Sequence, residues 1–203
     1  QTISIMDYIG TFAFALSGAY LAIRYELDIF GIFVCAFSTA CGGGITRDVV
    51  MNVGVPRFFS SYTTIMIVIV ASLLAIATKS EKWSKLMLTA DAIGLAVFAI
   101  TGVRGLDNGY NLPQLVFASV ITAVGGGVIR DILLQRVPIV LRKEVYASAA
   151  LAGAVVLWFI YPIMDKMVAT YISLAVVFGI RMWSVYKHID LPVVHLDTSE
   201  SAQ

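Results

Sequence analysis

Two stretches decide the fold of this chain: Thr39-Ala-Cys-Gly42-Gly43-Gly44-Ile-Thr-Arg47-Asp48 and Thr122-Ala-Val-Gly125-Gly126-Gly127-Val-Ile-Arg130-Asp131, one pattern repeated 83 residues apart. Pro56 follows the first copy and Pro138 the second. A companion pair lies upstream of each. Asp7-Tyr-Ile-Gly10-Thr-Phe-Ala-Phe14-Ala-Leu-Ser17-Gly18 recurs 84 residues later as Asp91-Ala-Ile-Gly94-Leu-Ala-Val-Phe98-Ala-Ile-Thr101-Gly102. Chance does not match this many positions, so the chain is internally duplicated.

Both motifs lie inside apolar runs. Seven such segments can be drawn: Ile5–Ile23, Ile29–Val53, Tyr62–Thr78, Leu86–Val103, Leu112–Leu134, Val145–Ile163 and Val168–Tyr186, together 140 of the 203 residues. Each is in or near the range of about 17–25 residues that a helix needs to cross a bilayer. The chain is 59% hydrophobic and 13% charged, with a mean hydropathy of +0.88. Soluble domains carry about 25% charged residues, so a soluble, disordered or fibrous protein is excluded. The expectation is an all-α membrane protein with seven transmembrane helices. The first segment is not expected to be a cleavable signal, because its pattern returns later in the chain.

Each copy of the duplication holds three segments, an odd number, so the second copy must sit upside down relative to the first. Such inverted repeats recur in membrane transport proteins. The expected division is a first three-helix repeat over 1–83, a second, inverted one over 84–164, a seventh helix over 165–187 and a polar cytoplasmic tail over 188–203. Eight Lys and Arg (Arg24, Lys79, Lys82, Lys85, Arg136, Arg142, Lys143 and Lys187) fall on one side of the seven-span layout, and three (Arg57, Arg104 and Lys166) on the other. Short basic loops favour the cytoplasm. This puts the N-terminus outside and the C-terminus inside, in a cell (inner) membrane. The basic inner surface also suits anionic lipid head groups.

Each glycine triplet lies just past the middle of its segment. One glycine inside a helix costs about 1 kcal/mol relative to alanine, so three in a row are expected to break the second and fifth helices at midplane. A break frees carbonyls that must face protein or a watery cavity, and a cation path between two opposed breaks follows. The alternative is that the triplets only let two helices pack closely.

Charges flank the triplets. Arg47 lies six residues past the centre of its segment, about 9 Å from midplane at about 1.5 Å per residue, and Asp7 lies at similar depth on the same side. Inversion puts Arg130 and Asp91 at matching depths on the other side. Intramembrane charges mark pathways or pairs, which suggests the ion pairs Asp7–Arg47 and Asp91–Arg130, either as gating elements or as structural clamps. Neighbouring helical residues do not face each other, so Asp48 and Asp131 are expected to point into the path. Ser17, Thr39, Thr101 and Thr122 fall at repeat-matched positions and could line it with hydroxyls; helix-packing hydrogen bonds explain them nearly as well. Lys143 and Glu144, at the start of the sixth segment, are a candidate gate or an interfacial anchor.

The doubled motif D-x-x-G-x-x-x-F-A-x-[ST]-G followed by G-G-G-x-x-R-D resembles the prokaryotic trimeric intracellular cation channel (TRIC) family, whose bacterial members also carry the label of glycine transporters. The resemblance covers Ile5 to about Tyr186. It implies a homotrimer with one monovalent-cation pore per protomer and a preference for potassium. It maps the family's kinked pore helices onto Gly42–Gly44 and Gly125–Gly127, and its charged residues onto Arg47, Asp48, Arg130 and Asp131. Thr46 is matched by Ile129, so the lining is not symmetric.

Other chemistries find little support. His188 and His195, the only histidines, lie in the tail, and no zinc-protease, phosphate-loop or nucleophile-elbow pattern occurs. No cofactor and no fixed metal are expected beyond transient K⁺. A net charge of +1 without basic runs gives no nucleic-acid signal. Cys35 and Cys41 share one segment and read as buried small residues. Two functions remain: a potassium channel, and a secondary transporter of glycine or a similar small zwitterion.

Overall fold

The computed structural model describes residues 2–78, 83–142 and 145–187. Its elements are α1 (Thr2–Arg24), α2 (Ile29–Val50), a 3₁₀ turn (Arg57–Ser60), α3 (Tyr62–Thr78), α4 (Trp83–Ala99), a second 3₁₀ turn (Ile100–Gly102), α5 (Val103–Asp107), α6 (Leu112–Leu133), α7 (Ile139–Arg142), α8 (Ala147–Ile160) and α9 (Lys166–Lys187). The chain is an all-helical membrane protein, with no strand among the described residues. Five stretches are long and apolar enough to cross a membrane: Ser4–Arg24, Ile29–Val50, Leu86–Asp107, Leu112–Leu133 and Lys166–Lys187. The other two expected segments form shorter apolar helices, α3 with 17 residues and α8 with 14. The sixth segment ends early because Tyr161–Ile163 leave the helix as turns.

The duplication is visible in how α2 and α6 start and stop. Asp28 caps α2 by accepting the Gly31 N–H at 2.7 Å. Asn111 caps α6 by accepting the Gln114 N–H at 3.0 Å, and Gln114 returns the bond to the Asn111 N–H, a reciprocal capping box. Just beyond their ends, Asn52 (φ 51°) and Gln135 (φ 53°) adopt the left-handed conformation that commonly stops a helix.

Between these ends the glycine triplets behave differently from the expectation. Both helices run uninterrupted through Gly42–Gly44 and Gly125–Gly127; neither is broken there. Magnitudes explain the correction. Three glycines forgo about 3 kcal/mol of helix propensity. A break would strand several backbone groups in apolar surroundings at several kcal/mol each. What the triplets permit is contact. A Cβ built on Gly43 would lie 2.3 Å from the Thr122 carbonyl oxygen, and one on Gly126 would lie 2.0 Å from that of Thr39. Helical pitch changes instead at Ile100–Gly102, between α4 and α5.

These contacts are reciprocal. Exchanging each residue with its repeat partner turns Gly43–Thr122 into Gly126–Thr39, and as one index falls the other rises, so α2 and α6 cross antiparallel. The same exchange relates α1 to α4. A Cβ on Gly10 would meet Val97 and Phe98, one on Gly94 would meet Phe14, and the matched rings Phe14 and Phe98 lie 5.2 Å apart, tilted at 57°. Such exchange is the signature of a two-fold relation between the two halves. In contrast, α9 packs on α8 and α4 with no counterpart.

Gly43→Ala and Gly126→Ala are each expected to destabilise the protein by about 1–3 kcal/mol through overpacking. Gly44→Ala, whose added Cβ meets only Arg47 Nη2 at 4.0 Å, should instead stabilise it by up to about 1 kcal/mol, the helix propensity that glycine forgoes. Unfolding of the purified protein in detergent measures all three.

Candidate functional site

The bundle has two ends: the N face, where α1 begins, and the C face, where α9 ends. On the N face a cavity of about 260 Å³ opens between α1, α2, α3 and α6. Its lining combines Asp7, Arg47, Asp48 and Arg57 with hydroxyls of Ser4, Thr11, Ser61, Thr64, Thr101 and Thr122, and it reaches Gly44 at the α2–α6 crossing. A smaller cavity of about 30 Å³ beside it shares Arg47, Asp48, Arg57 and Thr101. The Arg47 guanidinium spans part of this space. Its Nη1 donates to Thr122 Oγ1 at 3.3 Å, and its side chain keeps 17% of its surface.

Asp48 lines the N-face cavity and Asp131 is fully buried, and each is held by the arginine beside it, contrary to the expectation that neighbouring residues leave them free. Arg47 donates to Asp48 Oδ1 from Nε at 2.9 Å and from Nη2 at 2.7 Å. Arg130 donates from Nε to Asp131 Oδ1 at 2.9 Å. The rule that adjacent helical residues diverge concerns Cβ directions; the long arginine stem folds back around the helix and overrides it. The second carboxylate oxygen holds the chain after the repeat-matched proline, Pro56 or Pro138. Asp48 Oδ2 accepts the Arg57 N–H at 3.1 Å, and Asp131 Oδ2 accepts the Ile139 N–H at 2.8 Å. Each aspartate therefore staples a helix C-terminus to the start of the next segment.

On the C face the same residue types are sealed. Arg130 Nη1 lies 3.0 Å from Asp91 Oδ1 and 3.2 Å from Ser17 Oγ, and Ser17 also donates to Asp91 at 3.4 Å. Arg136 Nε approaches Asp131 Oδ1 at 3.6 Å. Arg130 retains 2% of its surface, Asp91 2% and Asp131 none. Buried carboxylates and guanidinium so paired offset one another's charge, which is the condition for charge to persist at this depth, although Asp91 Oδ2 has no hydrogen-bond partner among the described residues.

The structure thus gathers Asp7, Arg47, Asp48, Gly44, Thr101 and Thr122 on the N face, and Ser17, Asp91, Arg130 and Asp131 on the C face. Thr39 stands apart. Buried against Gly18, it donates to the Cys35 carbonyl at 2.6 Å; Thr101 and Thr122 likewise bond carbonyls of their own segments, Phe98 and Ala118. Lys143 and Glu144 lie outside the described residues. Sequence reasoning missed Arg181, 1% exposed, although a lone arginine inside the last apolar segment is itself a signal. It also missed Tyr146, whose ring lies 4.7 Å from the Arg181 guanidinium carbon. No composition or spacing rule marks that tyrosine.

A family model described as a glycine transporter matches residues 4–80 and again residues 88–162. The chain belongs to that family. Each matched stretch holds one copy of the doubled motif. The UPF0126 inner membrane protein YadS of Escherichia coli (strain K12) is 35% identical over 200 residues, 95% of this chain and 96% of YadS. Among solved structures, a TRIC cation channel superposes with a TM-score of 0.88 at 34% identity, covering 97% of this chain and 98% of that one. The TRIC trimeric intracellular cation channel orthologue from Rhodobacter sphaeroides gives 0.87 at 28%, covering 93% and 99%. The resemblance to the TRIC family carried by the doubled motif is borne out.

Removing one partner of a sealed charge cluster leaves the other charge buried. Asp131→Ala should therefore cost about 3–5 kcal/mol. Asp48→Ala should cost less, because Arg47 can turn into the open cavity. Paired unfolding curves in detergent check the order; equal losses would contradict the difference in burial.

Proposed function

We propose that this chain is a channel for monovalent cations, potassium above all, in the inner membrane. Each protomer of a homotrimer carries its own path along the α2–α6 crossing. The observation that carries this reading is the alignment of the N-face cavity with the C-face cluster. The cavity reaches as deep as Ala40 on α2 and Thr122 on α6, and Gly127, beside the cluster, lies five residues past Thr122 along α6, about 7.5 Å at helical rise. A short barrier separates an open polar half from a sealed one, as in a closed channel. The TRIC neighbours, at 34% and 28% identity over nearly the full length, support cation conduction and trimeric assembly.

Within this reading seven helices span the membrane, the shorter α3 and α8 included. The chain divides into repeats over 1–83 and 84–164, the seventh helix over 165–187 and a tail over 188–203. The N face looks outward and the tail lies in the cytoplasm, as the eight-to-three distribution of Lys and Arg favours. Asp7 faces Arg47 across the cavity that both line. Hydroxyls and two carboxylates suit a weakly held monovalent ion better than a divalent one, which needs a denser oxygen cage. Anionic lipids are the natural partners of the basic C-face loops.

A second reading, transport of glycine or a similar zwitterion, is favoured by the description of the matching family and by the opposite charges of the cavity. There Arg47 or Arg57 would meet a carboxylate and Asp7 an ammonium group. Recording from the purified protein in a planar bilayer under a KCl gradient separates the two. Discrete current steps reversing toward the K⁺ potential are expected. A silent bilayer together with saturable, counterflow-competent glycine uptake in vesicles would replace the channel with the transporter.

A further inference from the structure

The two halves are related by duplication, yet one is open and the other sealed; among the positions that differ between them, one stands directly against the matched glycine. The buried residues of α3, Val68, Ala71, Ser72 and Ala75, match four of the five buried residues of α8, Ala150, Gly153, Ala154 and Leu157, at an offset of 82, the offset that also relates Pro56 to Pro138. In that register the counterpart of Thr64 is Tyr146. Thr64 lines the N-face cavity, and a Cβ on Gly44 would meet only Arg47 Nη2, at 4.0 Å. At the matching glycine, Gly127, a Cβ would meet the Tyr146 hydroxyl at 3.5 Å as well as Arg130 Nη2 at 3.7 Å. Where the first half has a threonine beside a cavity, the second has a phenol in its place.

The phenol is held from behind by α9, the helix that lacks a counterpart. Arg181 places its guanidinium carbon 4.7 Å from the centroid of the Tyr146 ring. Its Nε and Nη2 have no hydrogen-bond partner among the described residues. An arginine only 1% exposed thus gains much of its compensation from the ring face, and moving the ring away from both Arg181 and Gly127 requires giving that up.

We propose that Tyr146, clamped by Arg181, is the residue that closes the C-face half of the path, so that the seventh helix supplies the closing device the repeats alone lack. The proposal rests on the reading of the α2–α6 crossing as a pathway. It assigns Arg181 a positioning role: the guanidinium holds the ring, and the ring fills the path.

The test transplants residues between the halves in the full chain. Tyr146→Thr is expected to raise open probability in the planar bilayer about tenfold, the order that loss of a desolvated cation–π contact implies. Arg181→Leu should do the same, and Thr64→Tyr should shield native Cys41, which lines the N-face cavity, from a water-soluble thiol reagent. A readout independent of current uses Ser17→Cys in a Cys35→Ser, Cys41→Ser background. Ser17 is fully buried, so the thiol should resist the reagent in vesicles until Tyr146→Thr is added. Unchanged open probability together with an unlabelled Ser17→Cys overturns the proposal. Labelling that depends on Tyr146→Thr while no variant conducts, the parent included, upholds Tyr146 as the closing residue and overturns the channel reading instead. Should Tyr146→Thr not fold, Arg181→Lys decides. It keeps the charge but loses the planar stack, and should speed labelling of Ser17→Cys; an unchanged rate overturns the proposal.

Discussion

The backbone of α2 rests on the backbone of α6 at Gly43 and Gly126, and the bundle is arranged around that contact. Lipid offers no partner to a freed N–H or carbonyl, so a helix there keeps its ladder even through three glycines. The absent side chains then become space for another helix. Because the chain is duplicated, the same glycines are available on both helices, and each triplet seats the carbonyl of a repeat-matched threonine. Close approach in membranes depends on such small residues, since lipid tails are as apolar as leucine and give no hydrophobic drive for helices to associate.

Around this crossing the polar groups fall into two sets of nearly identical chemistry and unlike surroundings. In both, an arginine folds back on the adjacent aspartate, and that aspartate accepts the amide that follows a proline. The N-face set looks onto a cavity; the C-face set is shut beneath Tyr146 and Arg181. Duplication thus explains the charges, and departure from duplication explains which end is closed. A further tie lies at the N-face rim, where Lys166 and Tyr161 both bond the Asp107 carboxylate and join the end of α5 to the connection before α9.

Much of the fold was legible because its causes are local or arithmetical. Run length located the apolar segments, and Tyr62–Thr78 was placed to the residue. The odd number of segments per copy required inversion, which the antiparallel contacts of Gly43 and Gly126 display. The glycine triplets were misjudged because propensity is measured where water can satisfy a broken helix. The pairing of Asp48 and Asp131 with the arginines beside them was missed because Cβ direction ignores the reach of an arginine. Tyr146 and Arg181 form a site only through the packing of α8 on α9, and spacing along the chain holds no trace of that.

By itself, then, the sequence determined that this is a helical membrane protein built from two inverted copies, since hydropathy, run length and motif repetition are properties of residues in order. Tertiary structure alone decided that the glycines join helices instead of breaking them, that each aspartate staples its own helix end, and that one half is open while the other is sealed. Those outcomes depend on distances between segments far apart in the chain. There the threonine-to-tyrosine difference at Tyr146, backed by an unrepeated helix, puts a ring against Gly127 where the other half has a cavity beside Gly44.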